Sequence, residues 1–288
     1  MTEDRWISET LFDGDGLRTS YRVKRVLHES KTAHQHLLLF ESANFGKVLM
    51  LDGATQVTSA DEFIYHEMMS HVPILAHGRA QNVLIVGGGD CGIAEEVLKH
   101  KTVTRLTLVE IDSSVVSFAR EHFPEFTGPV LSDPRFELVI SDGMTFVERT
   151  DRKFDVVIID STDPHGPGQV LFTEAFYRGV QRCLNPQGLM VTQNGVPFLQ
   201  PDVLRSVATF RKLFADGTCY IAAIPTYTGG HLAMGWATDD VTLRTHSVEE
   251  LTRRYELAGR FPTRYWTPEV HRAAFALPRF IADLIEKP

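Results

Sequence analysis

The hydrophobic positions change rhythm once along this chain. Over the first fifty-odd residues they come in short bursts, Tyr21–His28, His36–Phe40 and Lys47–Leu51, rich in Val, Leu and Phe. Turn-forming stretches separate the bursts: Asp13-Gly14-Asp15-Gly16, Ala43-Asn44-Phe45-Gly46 and Asp52-Gly53. Short β-rich runs closed by Gly, Asn and Asp, with no helical period between them, predict a small antiparallel β unit. Next, Ser59-Ala60-Asp61-Glu62 has the form of a capping box. It predicts a helix carrying Phe63, Ile64, Tyr65, His66 and Met68 that stops near Pro73.

From residue 82 strand and helix alternate. Strands are predicted at Asn82–Val86, Arg105–Val109, Phe136–Ile140, Phe154–Ile159 and Gly188–Thr192, with helices at Gly92–His100, Ser113–His122 and Thr173–Leu184. Phe154–Ile159 is apolar enough to be buried on both faces. Such alternation gives a mostly parallel sheet with helices on both sides. Residues 218–237 read as an antiparallel pair at the sheet edge. The expected fold class is α/β, with a β domain over residues 1–57 and a Rossmann-like domain over 58–288.

Composition narrows the class. The 288 residues are 43% hydrophobic and 23% charged, the balance of a globular protein with a large core. The three cysteines, Cys91, Cys183 and Cys219, are an odd number for a disulfide scaffold and point to a reducing compartment. The opening MTEDRWISET lacks the basic and apolar regions of a signal peptide. No apolar run approaches the ~20 residues that cross a bilayer. A soluble, cytoplasmic protein is expected. Lys and Arg total 29 against 37 Asp and Glu, a net charge of −8. That argues against nucleic acid, which needs a basic stripe, and admits a cationic substrate.

In an open parallel sheet, ligands sit outside the carboxyl ends of the strands. After the first of these strands comes Gly87-Gly88-Gly89-Asp90-Cys91-Gly92. It satisfies G-x-G-x-x-G between strand and helix, the pattern of a nucleotide site. After the second comes Glu110, placed to hold ribose hydroxyls, whether of NAD or of S-adenosylmethionine. After the third comes Asp142, either a helix N-cap or an acceptor for an adenine amino group, two compatible roles. After the fourth comes Asp160-Ser161-Thr162-Asp163-Pro164. Two carboxylates three apart leave a buried strand, either as turn formers or as ligands for a cation. With Asp90 they place three acids near one crevice, which hydride transfer does not need and a polyamine does. Two histidine pairs do not make a metal site. His66 and His71 are five apart, about 140° round a helix, and His34 and His36 share a strand face without a third ligand. No metal is expected.

Taken together, Gly87-Gly88-Gly89-Asp90, Val109-Glu110-Ile111-Asp112, Asp142-Gly143 and Asp160-Ser161-Thr162-Asp163-Pro164 resemble the motifs of the spermidine synthases, the polyamine aminopropyltransferases, in their bacterial form. Asp61 to Met68 and Ile224-Pro225-Thr226-Tyr227 extend the likeness, which runs from about residue 6 to about residue 280. The resemblance implies a methyltransferase-type Rossmann-like domain behind the β domain, and a homodimer or homotetramer. It implies aminopropyl transfer from decarboxylated S-adenosylmethionine, a co-substrate rather than a cofactor, to putrescine, giving spermidine and methylthioadenosine. On the matching positions, Gln35, Glu110, Asp142, Gly143 and Pro167 would hold the nucleoside. Asp90 would bind the amine of the aminopropyl tail, and would repel the carboxylate of intact S-adenosylmethionine. Tyr65, His66 and Tyr227 would line the diamine channel. Asp160 would accept the proton, with Ser161, Thr162 and Asp163 beside it in the substrate loop.

The chain departs from that pattern at two places. Cys91 stands where the family has glycine, a side chain next to the donor pocket at a backbone angle glycine tolerates better. Glu95 stands where an arginine is usual. Desolvation and the like charge of Asp163 are expected to raise the pKa of Asp160. Other readings are an aminopropyltransferase with spermidine, cadaverine or agmatine as acceptor, an ordinary methyltransferase, and a noncatalytic polyamine-binding protein.

Overall fold

The computed structural model describes residues 5–31, 35–161 and 166–286. His34, Thr162 and Asp163 lie outside the described residues, as does the side chain of Pro167. The N-terminal strands are β1 (Trp6–Ser8), β2 (Ser20–Lys31), β3 (His36–Ser42), β4 (Gly46–Leu51) and β5 (Ala54–Thr58). They pair in that order as an antiparallel meander. The three hydrophobic bursts are its centre. The edge strands β1 and β5 carry too few apolar residues to stand out in the pattern.

After α1 (Glu62–His77), the alternating region follows as β6 (Asn82–Gly87), α2 (Gly92–Lys99), β7 (Arg105–Glu110), α3 (Ser113–His122), α4 (Pro124–Ser132), β8 (Phe136–Ile140), α5 (Gly143–Arg149), β9 (Phe154–Asp160), α6 (Glu174–Cys183) and β10 (Leu184–Gln193). The chain ends with α7 (Arg205–Leu213), β11 (Asp216–Ala223), β12 (His231–Thr238), α8 (Val248–Ala258), α9 (Pro268–Ala274) and α10 (Arg279–Glu286). The second sheet runs β11-β12-β10-β9-β6-β7-β8. Its β10 to β8 part is parallel and β12 and β11 join antiparallel at the edge. Apolar clusters cover both faces of this sheet, as the uniformly apolar strands require. No helix among the described residues is long and apolar enough to cross a membrane.

α1 corrects an expectation: it runs through Pro73 to His77. A mid-helix proline costs about 3 kcal/mol, but every residue from Ile64 to His77 is buried. Packing outweighs the lost bond. Outside donors also hold the helix carbonyls: the Tyr220 hydroxyl donates to Met68 O at 3.0 Å, and the Arg254 guanidinium donates to Leu75 O and Ala76 O. The capping box is absent too. Ser59 Oγ accepts instead from Lys47 N, and the N-cap Asp61 makes no side-chain bond to its own helix.

The two sheets meet through Leu37, Leu39, Leu49 and Val57 on one side and Phe118, Phe123 and Phe126 on the other. Asp61 joins them by hydrogen bonding. Its carboxylate accepts from Thr58 Oγ1 at 2.6 Å, from Thr226 Oγ1 at 2.6 Å and from Thr226 N at 2.7 Å. Residue 226 belongs to the β11–β12 connection, so one buried carboxylate ties the N-terminal sheet, α1 and that connection together. Asp61→Ala leaves the buried Thr226 N–H without this acceptor and the Thr58 and Thr226 hydroxyls, 3.1 Å apart, with only each other. We expect a loss of about 3 kcal/mol of stability in urea titration. A loss below about 1 kcal/mol would show that the tie contributes little.

Candidate active site

A cleft of about 460 Å³ opens at the carboxyl ends of β6, β7, β8 and β9. Leu49, Leu51, Asp52, Thr55 and Gln56 of the N-terminal sheet roof it, and Tyr227 and Thr228 enter from the β11–β12 connection. The sheet topology places it there, because each parallel strand ends on the same edge. Gln35, Tyr65, His66, Asp90, Glu110, Asp142, Gly143, Asp160, Ser161 and Tyr227 all line this one space. Thus every expected site residue with a described side chain is brought together.

The β7 and β8 side combines carboxylates with apolar walls. Glu110 is buried, and its Oε1 accepts from Asp112 N at 2.9 Å. Burial raises its pKa, against the pull of the N–H groups of Asp112 and Ile111. Asp142 caps α5, accepting from Thr145 N at 2.7 Å, while also facing the cleft. The N-cap reading of that residue is borne out, and its place on the cleft wall leaves it within reach of a ligand. Ile111 is 45% exposed although apolar, and it lines the cleft with Val86 and Leu171. These apolar walls are absent from the sequence reading. Ile111 sits beside Glu110, and that adjacency is the one available signal.

The β6 and β9 side holds Asp90 and Asp160. The Tyr65 hydroxyl donates to Asp160 Oδ1 at 2.6 Å. Gly88 has φ +68° and lies so close that a Cβ there would be 2.8 Å from Asp160 Oδ2, so glycine meets both a conformational and a steric demand. Burial first, then the negative charge of Asp90, pushes Asp160 up to about 7. The Tyr65 hydrogen bond and the charge of His66 oppose the rise. The neighbouring like charge among the described residues is thus Asp90. Asp163, to which the sequence reading assigned that effect, lies outside them.

Asp90 Oδ1 accepts from Gly92 N at 3.0 Å, and its other oxygen is 3.7 Å from His66 Nε2. His66 Nδ1 is 2.8 Å from Glu62 Oε2. Burial works against charge on His66, but the hydrogen bonds and charges of Asp90 and Glu62 outweigh it and hold its pKa well above the usual range. Burial likewise opposes ionisation of Asp90, and His66 reverses that, leaving its pKa lowered. Both shifts favour the imidazolium–carboxylate form of the pair. Opposite, the rings of Tyr65 and Tyr227 meet edge to face at 6.1 Å, and the Tyr227 hydroxyl donates to Gln56 O at 2.6 Å. Aromatic faces of this kind suit a cation.

The census of charge is lopsided. Glu9, Asp52, Asp90, Glu110, Asp112, Asp142 and Asp160 line the cleft, and no lysine or arginine does among the described residues. Cys91 does not join them. Its φ of +67° is the left-handed angle expected, but its side chain is buried in the core under α1 and is not among the residues lining the cleft. Burial pushes its thiol up to about 12. Glu95 pairs with Lys99 at 3.5 Å one helical turn on. His66 and His71 of α1 diverge, His66 to Glu62 and Asp90, and His71 to His100 Nε2 at 3.0 Å and Glu96 Oε2 at 3.2 Å.

The chain matches two family models in tandem, a spermidine synthase tetramerisation domain over residues 5–59 and a spermine/spermidine synthase domain over residues 62–246. It is 50% identical over 285 residues to a polyamine aminopropyltransferase of Ruegeria sp. (strain TM1040), covering 99% of both chains. A polyamine aminopropyltransferase of Pseudomonas aeruginosa is 51% identical over 280 residues, 97% of each chain. A crystal structure of a spermidine synthase in complex with the transition state analogue AdoDATO superposes with a TM-score of 0.91 at 32% identity, over 99% of this chain and 97% of that one. The spermidine synthase of Thermotoga maritima gives 0.90 at 32% identity, over 99% and 95%.

The raised pKa of Asp160 has a consequence for stability. The folded chain holds the Asp160 proton up to about pH 7, whereas an ordinary carboxyl releases it near 3.8. Stability is therefore lost as pH climbs between those values, and the loss is complete above about 7, at most roughly 4 kcal/mol. Asp160→Asn cannot ionise and escapes the loss. It should melt above the wild type at about pH 8 and gain much less near pH 4. The same difference at both pH values would mean that Asp160 titrates as an ordinary carboxyl.

Proposed function

We propose that this chain, which belongs to the spermine/spermidine synthase family, transfers an aminopropyl group from decarboxylated S-adenosylmethionine to putrescine. The products would be spermidine and methylthioadenosine. The observation that carries the reading is the cleft wall, which seven acidic residues line without a lysine or arginine among the described residues. Both reactants are cations: the donor carries a sulfonium and an ammonium, the acceptor two amines. An anionic nucleotide such as NAD would meet repulsion on every side.

In this reading Glu110 takes the ribose hydroxyls, and Asp142 the adenine amino group, with Gln35, Gly143 and Pro167 around the nucleoside. Ile111 and Leu171 supply the apolar faces for the base. Asp90 takes the tail ammonium, Tyr65, His66 and Tyr227 line the diamine path, and Asp160 is the catalytic base, with Ser161, Thr162 and Asp163 in its loop. The sulfonium makes the adjacent methylene electrophilic, and its leaving group is a neutral thioether. The protein must align nucleophile and carbon and supply a neutral amine. An alkyl ammonium titrates near ~10.4, so baring it at neutral pH costs about 4–5 kcal/mol. A base lifted to about 7 narrows the mismatch with that ammonium. The C–N bond forms as the C–S bond breaks, and the amine proton passes to Asp160.

The match of residues 5–59 to a tetramerisation domain supports a homodimer or homotetramer. Three free, buried cysteines suit a cytoplasmic location.

Mass spectrometry of products tests the reading, with the decarboxylated donor offered putrescine, cadaverine, agmatine or spermidine. Spermidine formed from putrescine in preference to the other products is expected. Preferential use of another amine would keep the aminopropyl transfer and change the acceptor. Transfer of methyl rather than aminopropyl would refute the proposal. Asp160→Asn should lower the rate by ~10²–10⁴, and a rate within a few-fold of wild type would remove Asp160 from the base role. Calorimetry should also find methylthioadenosine binding far more tightly than NAD, and the reverse order would sink the nucleoside assignment.

A further inference from the structure

His66 is the one basic side chain on the cleft wall among the described residues. It is 3% exposed and lies between two carboxylates, Glu62 at 2.8 Å and Asp90 at 3.7 Å. The berth is specific. Gly92 opens α2, and a Cβ at that position would fall inside the imidazole ring. The rings of Tyr65 and Phe126 close on it, with centroids at 5.8 and 6.0 Å. Other charges face the cluster: Arg264 Nη1 lies 3.8 Å from Glu62 Oε1, and Asp160 interacts with both His66 and Asp90. Asp90 therefore already has a cation partner in the free protein.

We propose that His66 is a resident stand-in for the substrate's ammonium: it neutralises Asp90 in the free enzyme and gives up its Nε2 proton when the ammonium of the aminopropyl tail takes its place on that carboxylate. The inference rests on the reading of Asp90 as the partner of the tail. Two cations cannot share one buried carboxylate without mutual repulsion, and the donor's sulfonium adds a third positive charge nearby. Loss of the Nε2 proton removes the direct repulsion between the imidazolium and the ammonium at Asp90, while Glu62 keeps its bond to Nδ1. The Nε2–H bond breaks, its electron pair stays on the ring, and the proton passes to the solvent buffer. Nδ1 keeps its proton on Glu62. A nucleoside without an ammonium leaves the pair undisturbed.

The resident cation also explains why Asp90 can stay ionised in the empty cleft beside Asp160. It makes His66 a positioning residue for the donor site and Gly92 the residue that admits it. Donor binding then carries a proton cost that falls as pH rises, so donor affinity should increase with pH while methylthioadenosine affinity stays flatter.

Calorimetry in two buffers of different ionisation heat, at one pH near neutrality, counts the protons. The decarboxylated donor without acceptor should release about one proton per site, and methylthioadenosine close to none. In His66→Gln the donor should bind without that release. Gly92→Ala is the companion variant for the case that His66→Gln does not fold: it keeps the histidine but pushes the ring from its berth, and should diminish the release. Equal release by the two ligands, no release by the donor, or full release in a folded variant would overturn the proposal. A donor that does not bind at all would overturn the functional reading itself, so the two failures are distinguishable.

Discussion

Carboxylates crowded round one cleft repel one another, and no lysine or arginine among the described lining residues offsets them. What holds them is the backbone. Glu110 accepts from Asp112 N, Asp112 from Ser114 N, Asp90 from Gly92 N, Asp142 from Thr145 N, Glu9 from Thr55 N and Asp52 from His36 N. Four of these donors lie where a parallel strand has ended and a helix begins, where N–H groups are unpaired by construction of the helix. The parallel sheet thus does more than place the acids on one edge: it supplies backbone donors that orient them. Asp160 is the exception. Among the described residues it accepts only from the Tyr65 hydroxyl, and it is the acid whose pKa rises to about 7.

α1 connects two of these acids to the rest of the molecule. Along one helix, Asp61 at the N-cap grips Thr58 and Thr226, Tyr65 touches Asp160, and His66 touches Asp90. The next residue, Glu67, accepts from the N–H groups of Arg264, Tyr265 and Trp266 at 2.6, 2.9 and 2.6 Å. The helix is therefore anchored to the N-terminal sheet, to the β11–β12 connection and to the C-terminal segment while it presents two side chains to Asp160 and Asp90. A rigid helix positions such groups better than a loop would. Burial along nearly its whole length is the reason Pro73 does not end it.

Much of this was legible in the sequence. The alternation after residue 82 has a strong period and yielded β6 to β10 within a few residues at each end. The acids that follow each strand could be read because the topology fixes which loop faces the ligand. The weaker patterns did not carry over. β1 and β5 are short and mixed in polarity, and α4, α5 and α7 to α10 lie where turn signals and helical period interrupt one another. Pairings between distant residues were beyond reach: nothing local says that His66 meets Asp90, or that Asp61 serves Thr226 rather than its own helix. Cys91 shows both sides. Its left-handed angle followed from the glycine it replaces, but its direction, into the core rather than the cleft, depends on packing that only the folded chain decides.

Under the proposed reaction the charge moves in a direction this wall favours. Before transfer, one positive charge sits on the donor sulfur, between the nucleoside acids and Asp90. As the C–N bond forms and the C–S bond breaks, that charge leaves sulfur and appears on the attacking nitrogen, the atom closest to Asp160. A carboxylate fixed there gains attraction as the reaction advances, whereas one near the sulfur loses it. Stabilisation that grows toward the transition state accelerates chemistry, and stabilisation of the ground state alone does not. Asp160 takes up the proton from the newly cationic nitrogen, which the rise of its pKa by burial and by Asp90 makes less costly. What remains on the donor side is a neutral thioether nucleoside, no longer attracted by charge to the acids that drew in the sulfonium. The same array of carboxylates that gathers the cations thus loosens its hold on the nucleoside product.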